Sequence, residues 1–258
     1  VTGDLAGFVS GVYLRGTPFI QIPTTLIAQV DSSIGGKTGV NHPLGKNLIG
    51  VFHQPRFVWI DTDLVQTLKD RDFISGLAEV VKYGMIYDAA FFNFMEANHD
   101  LIRHRDPGVL FQLVKRSCEI KAEVVGKDEK ESGLRKILNY GHTLGHAVEA
   151  VTAYKKYRHG EAISIGMDFA ARLSEKELGL PKDIVNRQKR LLESLGLPWR
   201  LPKLRLSELM GSMLLDKKVS SGKIYFILPE KIGRVRIEPV SRKKIENEIR
   251  RSLSGKAL

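Results

Sequence analysis

Apolar residues recur at helical spacing through most of the second half of the chain. This pattern predicts seven successive helices, at residues 71–86, 89–104, 107–127, 134–152, 160–178, 181–195 and 206–215. Prolines punctuate the series, at Pro107, Pro181, Pro198 and Pro202. In the last stretch, residues 241–256, charged residues alternate with Ile245 and Ile249 at helical spacing, which predicts a surface helix.

The first 68 residues have a different pattern. Residues 4–15 read as a helix, and two short apolar runs, 19–23 and 57–61, read as buried strands. Between the strands lies a polar, glycine-rich loop at residues 24–50. Two late strands, 224–228 and 234–240, are joined by a Pro-Gly-containing turn and predict a hairpin.

Alternation of strand, loop and helix is typical of an α/β unit. We therefore expect an α/β part at residues 1–68, followed by a mostly helical domain at residues 69–258. The chain begins at Val1, in a sequence typical of the middle of a βα unit, so we also expect an upstream segment.

The net charge of +11 over 258 residues adds a functional question. A basic surface can bind nucleic acid, and basic side chains can instead line a pocket for an anionic small molecule. No apolar run is long enough to span a membrane, and no secretory signal is visible. With a single cysteine, no intrachain disulfide can form, so we expect a reducing, cytoplasmic setting.

Histidines concentrate in the predicted helix at residues 134–152. His142 and His146 are four residues apart, and Asn139 is expected on the same helix face. Glycines stand beside both histidines, which suggests close approach of a ligand or of another backbone. The spacing resembles that of H-E-x-x-H metallopeptidases, but Thr143 replaces the catalytic glutamate, so a peptidase is not expected.

A carboxylate elsewhere in the chain can complete a metal site. Glu79 lies in an otherwise apolar helix, and His159 begins the helix that follows the histidine pair. Catalytic zinc takes three protein ligands and keeps one position open. Glu79 with two of the three histidines (His142, His146 and His159) satisfies that requirement. The alternative is that Glu79 only pairs with Lys82, one helical turn away.

Residues 30–39 resemble the end of a phosphate-binding P-loop. The motif requires glycine where Asp31 stands, so the segment is not a P-loop. Lys37, Lys46 and the loop amides still suit an anion. An ordinary surface loop is the alternative.

Four longer stretches carry a family resemblance: VDSSIGGKTGVNHPLGKNLIG (30–50), GLAEVVKYG (76–84), SCEIKAEVV (117–125) and LNYGHTLGHA (138–147). In this order they resemble the 3-dehydroquinate synthase family of sugar-phosphate cyclases, and the resemblance covers nearly the whole chain. It implies the remnant of a Rossmann-like NAD-binding domain followed by a helical metal- and substrate-binding domain, as in glycerol dehydrogenases. The upstream nucleotide-binding half of the family is absent from this sequence.

The resemblance also implies roles for individual residues. Zinc, with Co²⁺ as an alternative metal, would be held by Glu79, His142 and His159, leaving His146 to contact substrate. Other positions that match the substrate pocket are Asp31, Lys37, Asn47, Lys82, Lys121, Arg135 and Asn139. Lys217 is favoured over Lys218 as a lysine that closes on the substrate.

NAD would be contacted by Asp4, Thr24, Thr25, Asp31, Lys37, Lys46 and Thr67. Arg15 matches an arginine that reaches into the neighbouring subunit's pocket, so the resemblance implies a homodimer. The expected partner is an anionic sugar phosphate, with neither nucleic acid nor membrane involved.

The activity implied is conversion of 3-deoxy-arabino-heptulosonate 7-phosphate to 3-dehydroquinate and phosphate, a step of the shikimate pathway. The proposed course is transient oxidation by NAD, phosphate elimination, reduction and aldol closure. A 2-deoxy-scyllo-inosose synthase-like cyclase is an alternative, but Lys121, Arg135 and Asn139 favour a substrate with a carboxylate. A glycerol-dehydrogenase-like enzyme would form net NADH, and a basic nucleic-acid-binding module would bind DNA in a salt-dependent manner.

Overall fold

The computed structural model describes residues 1–42, 45–216 and 223–254. Its helices are α1 (Thr2–Val12), α2 (Asp70–Ile86), α3 (Ala89–Ala97), α4 (His99–Arg103), α5 (Pro107–Lys127), α6 (His142–Val151), α7 (His159–Glu177), α8 (Lys182–Ser194), α9 (Leu206–Asp216) and α10 (Arg242–Leu253). Its strands are β1 (Lys37–His42), β2 (Gly45–Phe52), β3 (Lys223–Lys231) and β4 (Arg234–Ser241). Short 3₁₀ helices cover Tyr13–Arg15, Thr62–Thr67 and Leu134–Asn139, and a π-helical turn covers Ala28–Ser32.

The helices of the second region agree closely with the predicted series. Two of them begin at an aspartate that caps the helix N-terminus. The Asp88 carboxylate accepts a hydrogen bond from the Phe91 amide at 3.0 Å, at the start of α3. The Asp106 carboxylate accepts one from the Val109 amide at 2.9 Å, and proline occupies the next position, at the start of α5. This element order agrees with the expected fold class, in which a mostly helical part follows a partial α/β part, while the boundary between residues 68 and 69 stays a prediction.

Two predicted helices are interrupted. The stretch 89–104 divides at Asn98 into α3 and α4. In the stretch 134–152, Gly141 has a φ of +79°, which ends the 3₁₀ turn before α6 begins at His142. The prediction that Asn139 shares one helix face with His142 and His146 is therefore wrong, because Asn139 precedes the helix.

The two predicted early strands are also wrong. Residues 19–23 and 57–61 share one parallel bridge, between Gln21 and Val58, in which Gln21 exchanges backbone hydrogen bonds with Phe57 and Trp59, and neither segment extends into a strand. Their apolar side chains are not buried by the described residues, since Ile22 is 56% exposed and Trp59 is 64% exposed. The stretch predicted as a loop at 24–50 instead contains the π-helical turn and the antiparallel hairpin β1–β2.

The late hairpin and the last helix agree with the sequence pattern. Strands β3 and β4 pair antiparallel, with Ile227 opposite Ile237. In α10 the side chains of Ile245 and Ile249 are fully buried against the core, Glu248 is buried and forms an ion pair with Lys176, and the basic residues of the helix are exposed. No helix within the described ranges combines the length and the apolar character that crossing a membrane requires.

Helix α7 lies in direct backbone contact with α2 and α6, and two glycines permit this. A Cβ atom on Gly160 would lie 1.7 Å from the Ser75 carbonyl oxygen, and one on Gly166 would lie 1.9 Å from the Gly141 carbonyl oxygen. No side chain fits at either position. The first residues of α6 and α7 are therefore held beside the middle of α2.

Candidate metal centre and anion-binding cavity

Three side chains from distant parts of the chain converge where α2, α6 and α7 meet. Glu79 Oε1 lies 3.3 Å from His159 Nε2 and 3.8 Å from His142 Nε2. One ligand atom from each of the three residues lies within 4.8 Å of the other two. Glu79 comes from the middle of α2, and the two histidines are the first residues of α6 and α7.

The His142 ring is oriented by the backbone just before it. Its Nδ1 lies 3.0 Å from the Tyr140 carbonyl oxygen, which can only accept a hydrogen bond. Nδ1 therefore carries the proton, and the lone pair of Nε2 points toward Glu79. Burial lowers the pKa of His142 to about 3, against the opposing effect of Glu79, so this ring is neutral near pH 7.

The electrostatics of Glu79 are those of a buried carboxylate among cationic groups. Burial acts to raise its pKa, but Lys82 and the two nearby histidines outweigh burial and hold the pKa well below its usual range. Lys82 is itself buried and forms an ion pair with Glu79. The pairing that the sequence left open as the alternative to a metal site is thus present together with the histidine cluster.

The donor set fits a divalent cation. Within the described residues neither oxygen of Glu79 has a hydrogen bond of ordinary geometry, although the side chain has no exposed surface. The Lys82 ammonium compensates part of this buried charge, and a divalent cation between Glu79 and the two histidines would compensate the remainder. One carboxylate and two imidazoles are a ligand set that zinc takes in catalytic sites, with a fourth position left open.

A second group overlaps the first. His146, Glu149 and His159 also bring one ligand atom each to within 4.8 Å of one another. The ring centroids of His142 and His159 are 5.4 Å apart, and those of His146 and His159 are 6.2 Å apart. Of the three histidines that spacing left as candidates, the structure places His142 and His159 beside Glu79.

Next to these helices, a cavity of about 510 Å³ opens between α1, the hairpin β1–β2 and α5. Its lining includes residues predicted to contact NAD or substrate: Asp4, Asp31, Lys37, Lys121 and Arg135. All five are on different elements, so only the fold brings them together.

Asp31 lines this cavity, and two side chains fix the position of its carboxylate. Its carboxylate accepts hydrogen bonds from the Tyr83 hydroxyl at 2.9 Å and from Lys121 Nζ at 2.6 Å. Burial acts to raise the pKa of Asp31, but Lys121 and Lys82 outweigh burial and lower it to about 2. Asp31 is therefore ionised at any physiological pH, and it fixes the position of the Lys121 ammonium.

Three cationic side chains line the same cavity: Lys37, Lys121 and Arg135. Burial, together with the nearby charges of Arg135 and Lys121, lowers the pKa of Lys37 to about 8. The Arg135 guanidinium donates to the Gly35 carbonyl oxygen at 3.0 Å. Like charges at close range favour binding of an anion, because an anion relieves their mutual repulsion.

Glu131 also reaches this region. Its carboxylate accepts a hydrogen bond from Asn139 Nδ2 at 2.6 Å and forms an ion pair with Lys37. Neither contact could be anticipated from spacing, because Glu131 lies in a charged turn with no periodic pattern. Tyr83, by contrast, stands in the GLAEVVKYG stretch, directly after Lys82, and that position was a usable signal.

The remaining predicted cofactor and partner residues are not gathered in the cavity. Thr25 Oγ1 accepts a hydrogen bond from the Ala28 amide at 3.3 Å, and Thr67 Oγ1 donates to the Leu64 carbonyl oxygen at 2.9 Å. Thr24 and Arg15 are exposed. Outside the described side chains lie Lys46, Asn47, Lys217 and Lys218.

Two family descriptions match the chain over its first 219 residues. "3-dehydroquinate synthase N-terminal" matches residues 1–75, and "3-dehydroquinate synthase C-terminal" matches residues 76–219. A 3-dehydroquinate synthase from Thermodesulfovibrio yellowstonii is 55% identical over 238 residues, covering 92% of this chain and 66% of that protein. One from Idiomarina loihiensis is 52% identical over 237 residues, with the same 92% and 66% coverage. The chain thus spans 66% of the length of these relatives.

Solved structures give the same picture for the fold. ValA, a 2-epi-5-epi-valiolone synthase from Streptomyces hygroscopicus with NAD⁺ and Zn²⁺ bound, is 29% identical, with a TM-score of 0.89 over 98% of this chain and 71% of that chain. A 2-deoxy-scyllo-inosose synthase complexed with carbaglucose-6-phosphate, NAD⁺ and Co²⁺ is 30% identical, also with a TM-score of 0.89, over 96% of this chain and 71% of that chain. An iron-containing alcohol dehydrogenase is 16% identical with a TM-score of 0.61, over 98% of this chain and 72% of that chain, and shares the fold.

Proposed function

The chain belongs to the 3-dehydroquinate synthase family, and from this premise we propose that it carries the metal and substrate site of a 3-dehydroquinate synthase. The substrate is 3-deoxy-arabino-heptulosonate 7-phosphate, and the products are 3-dehydroquinate and phosphate. The enzyme is then a carbon–oxygen lyase of the shikimate pathway, which supplies aromatic amino acid biosynthesis. The observation that carries the proposal is the convergence of Glu79, His142 and His159 beside a cavity rich in cationic groups.

In this proposal Glu79, His142 and His159 hold a zinc ion, for which Co²⁺ can substitute. When bound, the ion supplies Lewis-acid chemistry that lowers the pKa of a coordinated substrate hydroxyl. The buried Lys82 ammonium next to Glu79 limits the negative charge at the site and can donate to a substrate oxygen. His146 lies one turn along α6 from His142, with 5.3 Å between the ring centroids, and in this proposal it contacts the same substrate.

Lys121, Arg135 and Lys37 bind the two anionic groups of the substrate. Arg135 can engage a carboxylate or phosphate with two parallel hydrogen bonds, which a lysine cannot do. Lys121 is fixed by Asp31 and therefore presents its charge with little loss of side-chain freedom. By holding both ends of the substrate, these residues favour one conformer in the cavity.

NAD is the proposed second cofactor, and when bound it would accept a hydride from the substrate and return it. One observation supports NAD binding by the residues of this chain. Asp4, Asp31 and Lys37, expected to contact NAD, line the same cavity as Lys121 and Arg135, expected to contact substrate. A hydride donor and its acceptor must meet in one cavity. Thr24, Thr25 and Thr67 are not among the residues that line this cavity, so their positions do not support NAD binding.

The proposal includes a homodimer in the cytoplasm. Arg15 supports the dimer only through its match to the family position, and its exposure on the 3₁₀ turn leaves it accessible to a neighbouring subunit. An anionic sugar phosphate as substrate also accounts for part of the basic balance without nucleic acid.

The test is replacement of His142 by alanine, with zinc content and turnover measured on the same preparations. We expect about one zinc ion per chain for the wild type, and loss of zinc and of turnover for the variant. Metal content tests the site by itself, whether or not the 258-residue chain turns over. A variant that keeps one zinc per chain contradicts the ligand assignment.

A substrate comparison separates the proposal from its closest rivals. Phosphate release from the heptulosonate phosphate without net NADH supports a 3-dehydroquinate synthase. Release only from a sugar phosphate that lacks a carboxylate supports a 2-deoxy-scyllo-inosose synthase-like cyclase, and net NADH formation supports an alcohol dehydrogenase. Arg135→Leu serves as the matched variant: turnover of the heptulosonate phosphate should fall more than turnover of a sugar phosphate without the carboxylate, because the first substrate has one more anionic group for Arg135 to bind.

A further inference from the structure

His159 lies between two carboxylates, one on each side of its ring. Its Nε2 lies 3.3 Å from Glu79 Oε1, and its Nδ1 lies 3.5 Å from Glu149 Oε1. Both nitrogens of this ring therefore have defined partners.

Glu149 is a carboxylate buried inside the protein, where charged side chains are rare. It lies near the end of α6, and only 3% of the residue is exposed. A buried carboxylate destabilises a fold unless it gains a compensating interaction. Glu149 is also seven residues from His142, so the two side chains share a face of α6. The residue that compensates the burial of Glu149 belongs to the proposed metal site.

From this arrangement, and resting on the proposed function, we infer that Glu149 is a positioning residue for the metal centre. Its carboxylate accepts the Nδ1–H of His159, which fixes the tautomer and the orientation in which Nε2 faces Glu79 and the metal. Histidine ligands of metals commonly donate their second N–H to a carboxylate in this way, which also makes the ligating nitrogen more basic. His142 obtains the same control from the Tyr140 carbonyl oxygen, so each histidine ligand has its own orienting acceptor.

The competing assignment makes Glu149 a metal ligand, together with His146 and His159. A neutral imidazole offers one lone pair, so His159 can bind an ion on the Glu79 side or on the Glu149 side, but not on both at once. On the Glu79 side a second imidazole also faces the ion, because His142 Nδ1 donates to the Tyr140 carbonyl oxygen and its Nε2 lies 3.8 Å from Glu79 Oε1. The ion is therefore assigned to the Glu79 side, and Glu149 to the N–H side.

The experiment compares Glu149→Gln and Glu149→Leu with the wild type in the full chain. Zinc affinity is measured by competition with a chelator, and Co²⁺-substituted protein is examined by visible absorption. Glutamine keeps an acceptor oxygen for Nδ1–H but loses the charge, whereas leucine has the same size and offers no acceptor. We expect affinity to fall by about 10- to 100-fold for leucine and by less for glutamine. The cobalt spectra should keep the same coordination number.

Glu161→Gln is the matched control. Glu161 lies on the same helix, two residues from His159, and its carboxylate accepts hydrogen bonds from Arg71 rather than from the ring. Its replacement removes one nearby negative charge and should leave zinc affinity within about twofold. If this control weakens zinc as strongly as Glu149→Leu, a general charge effect explains the loss and the inference is overturned.

Thermal unfolding of chelator-treated protein separates positioning from a merely structural role. Glu149→Leu removes one partner of a buried pair, which by itself lowers the stability of chelator-treated protein, so positioning is shown by zinc affinity that falls in protein that is still folded. Lower stability with unchanged zinc affinity overturns the inference and leaves the proposed function intact. A cobalt spectrum that loses a ligand in Glu149→Leu also overturns it, in favour of direct coordination. A wild-type chain that binds no divalent metal overturns both.

Discussion

The two regions of this chain bury their apolar residues to very different extents. From α2 onward, apolar side chains form a continuous core through the helices and the β3–β4 hairpin. In residues 1–68, the buried apolar side chains of the described part are Leu26, Val30 and Val65. Many others are exposed in that region: Leu5, Val9, Val12, Leu14, Ile20, Ile22, Leu48, Ile49, Phe52, Phe57 and Trp59.

This difference separates what holds the chain together from what shapes its cavity. The metal cluster rests on α2, α6 and α7, which belong to the densely packed region. The anion cavity is shared, because Lys121 and Arg135 come from the packed region and Asp4 and Lys37 from the other. The geometry of the metal cluster should therefore not depend on whether another segment or subunit packs on residues 1–68. The shape of the cavity should depend on it.

The strongest test of the comparison is a large deletion in the packed region. Phe92 in α3 is fully buried, and Phe92→Ala removes its ring from the core. We expect the free energy of unfolding to fall by about 3–5 kcal/mol, measured by urea denaturation. A loss below 1 kcal/mol would mean that this part of the core is loosely packed and would remove the contrast between the regions.

A smaller effect is expected where helices touch without side chains. Gly166→Ala introduces a methyl group 1.9 Å from the Gly141 carbonyl oxygen, so α6 and α7 must separate. We expect a destabilisation of about 1–3 kcal/mol and weaker zinc binding. Gly126→Ala in α5 is the matched control, because no atom lies within 4 Å of its added methyl group. It should stabilise the helix by up to about 1 kcal/mol, and two effects of the same sign would contradict the packing argument.

The shared cavity gives a pH test. Lys37 has a pKa of about 8, so its ammonium is charged below pH 8 and loses its charge as the pH rises through that value. Sulfate, whose charge is constant in this range, should bind up to about tenfold more weakly for each pH unit above 8. Binding is measured by titration calorimetry. In Lys37→Arg the decline should disappear, since guanidinium stays charged; a decline that persists in that variant assigns the effect to another group.

The smallest effect is expected on the exposed side of the comparison. Trp59 is large but 64% exposed, so Trp59→Ala should change the free energy of unfolding by no more than about 0.5 kcal/mol. Urea denaturation beside Phe92→Ala gives the direct ratio between the regions. A cost above 2 kcal/mol would show that Trp59 is buried in solution, by a second copy or by another segment.

The helices could be predicted from sequence because their signals are local. Apolar spacing and caps such as Asp88 and Asp106 are complete within a few residues. The early strands could not, because a strand needs a neighbour, and residues 19–23 and 57–61 have only one bridge between them. The hairpin β1–β2 was missed for the opposite reason: its polar, glycine-rich sequence has no period-two pattern.

For the site, spacing narrowed the metal ligands to Glu79 and two of three histidines but could not choose between His142 and His146. That choice depends on the α6–α7 approach, which is a property of the tertiary structure. The family resemblance proposed the pair His142 and His159, and the geometry places these two beside Glu79, while their ligand role remains a prediction. Glu149 shows the limit most clearly, since a glutamate on an amphipathic helix usually marks a solvated face.

The contact of Gly160 and Gly166 with neighbouring backbone limits which metals the centre can be altered to accept. Neither glycine has a Cβ atom, so no substitution at these two positions can bring α7 closer to α6 or to α2. A replacement at Gly166 moves His142 and His159 apart, and one at Gly160 moves His159 away from α2, which carries Glu79. Changes at this contact can therefore shift preference only toward ions with longer metal–ligand bonds, and selection for a smaller ion has to act through Glu79 instead.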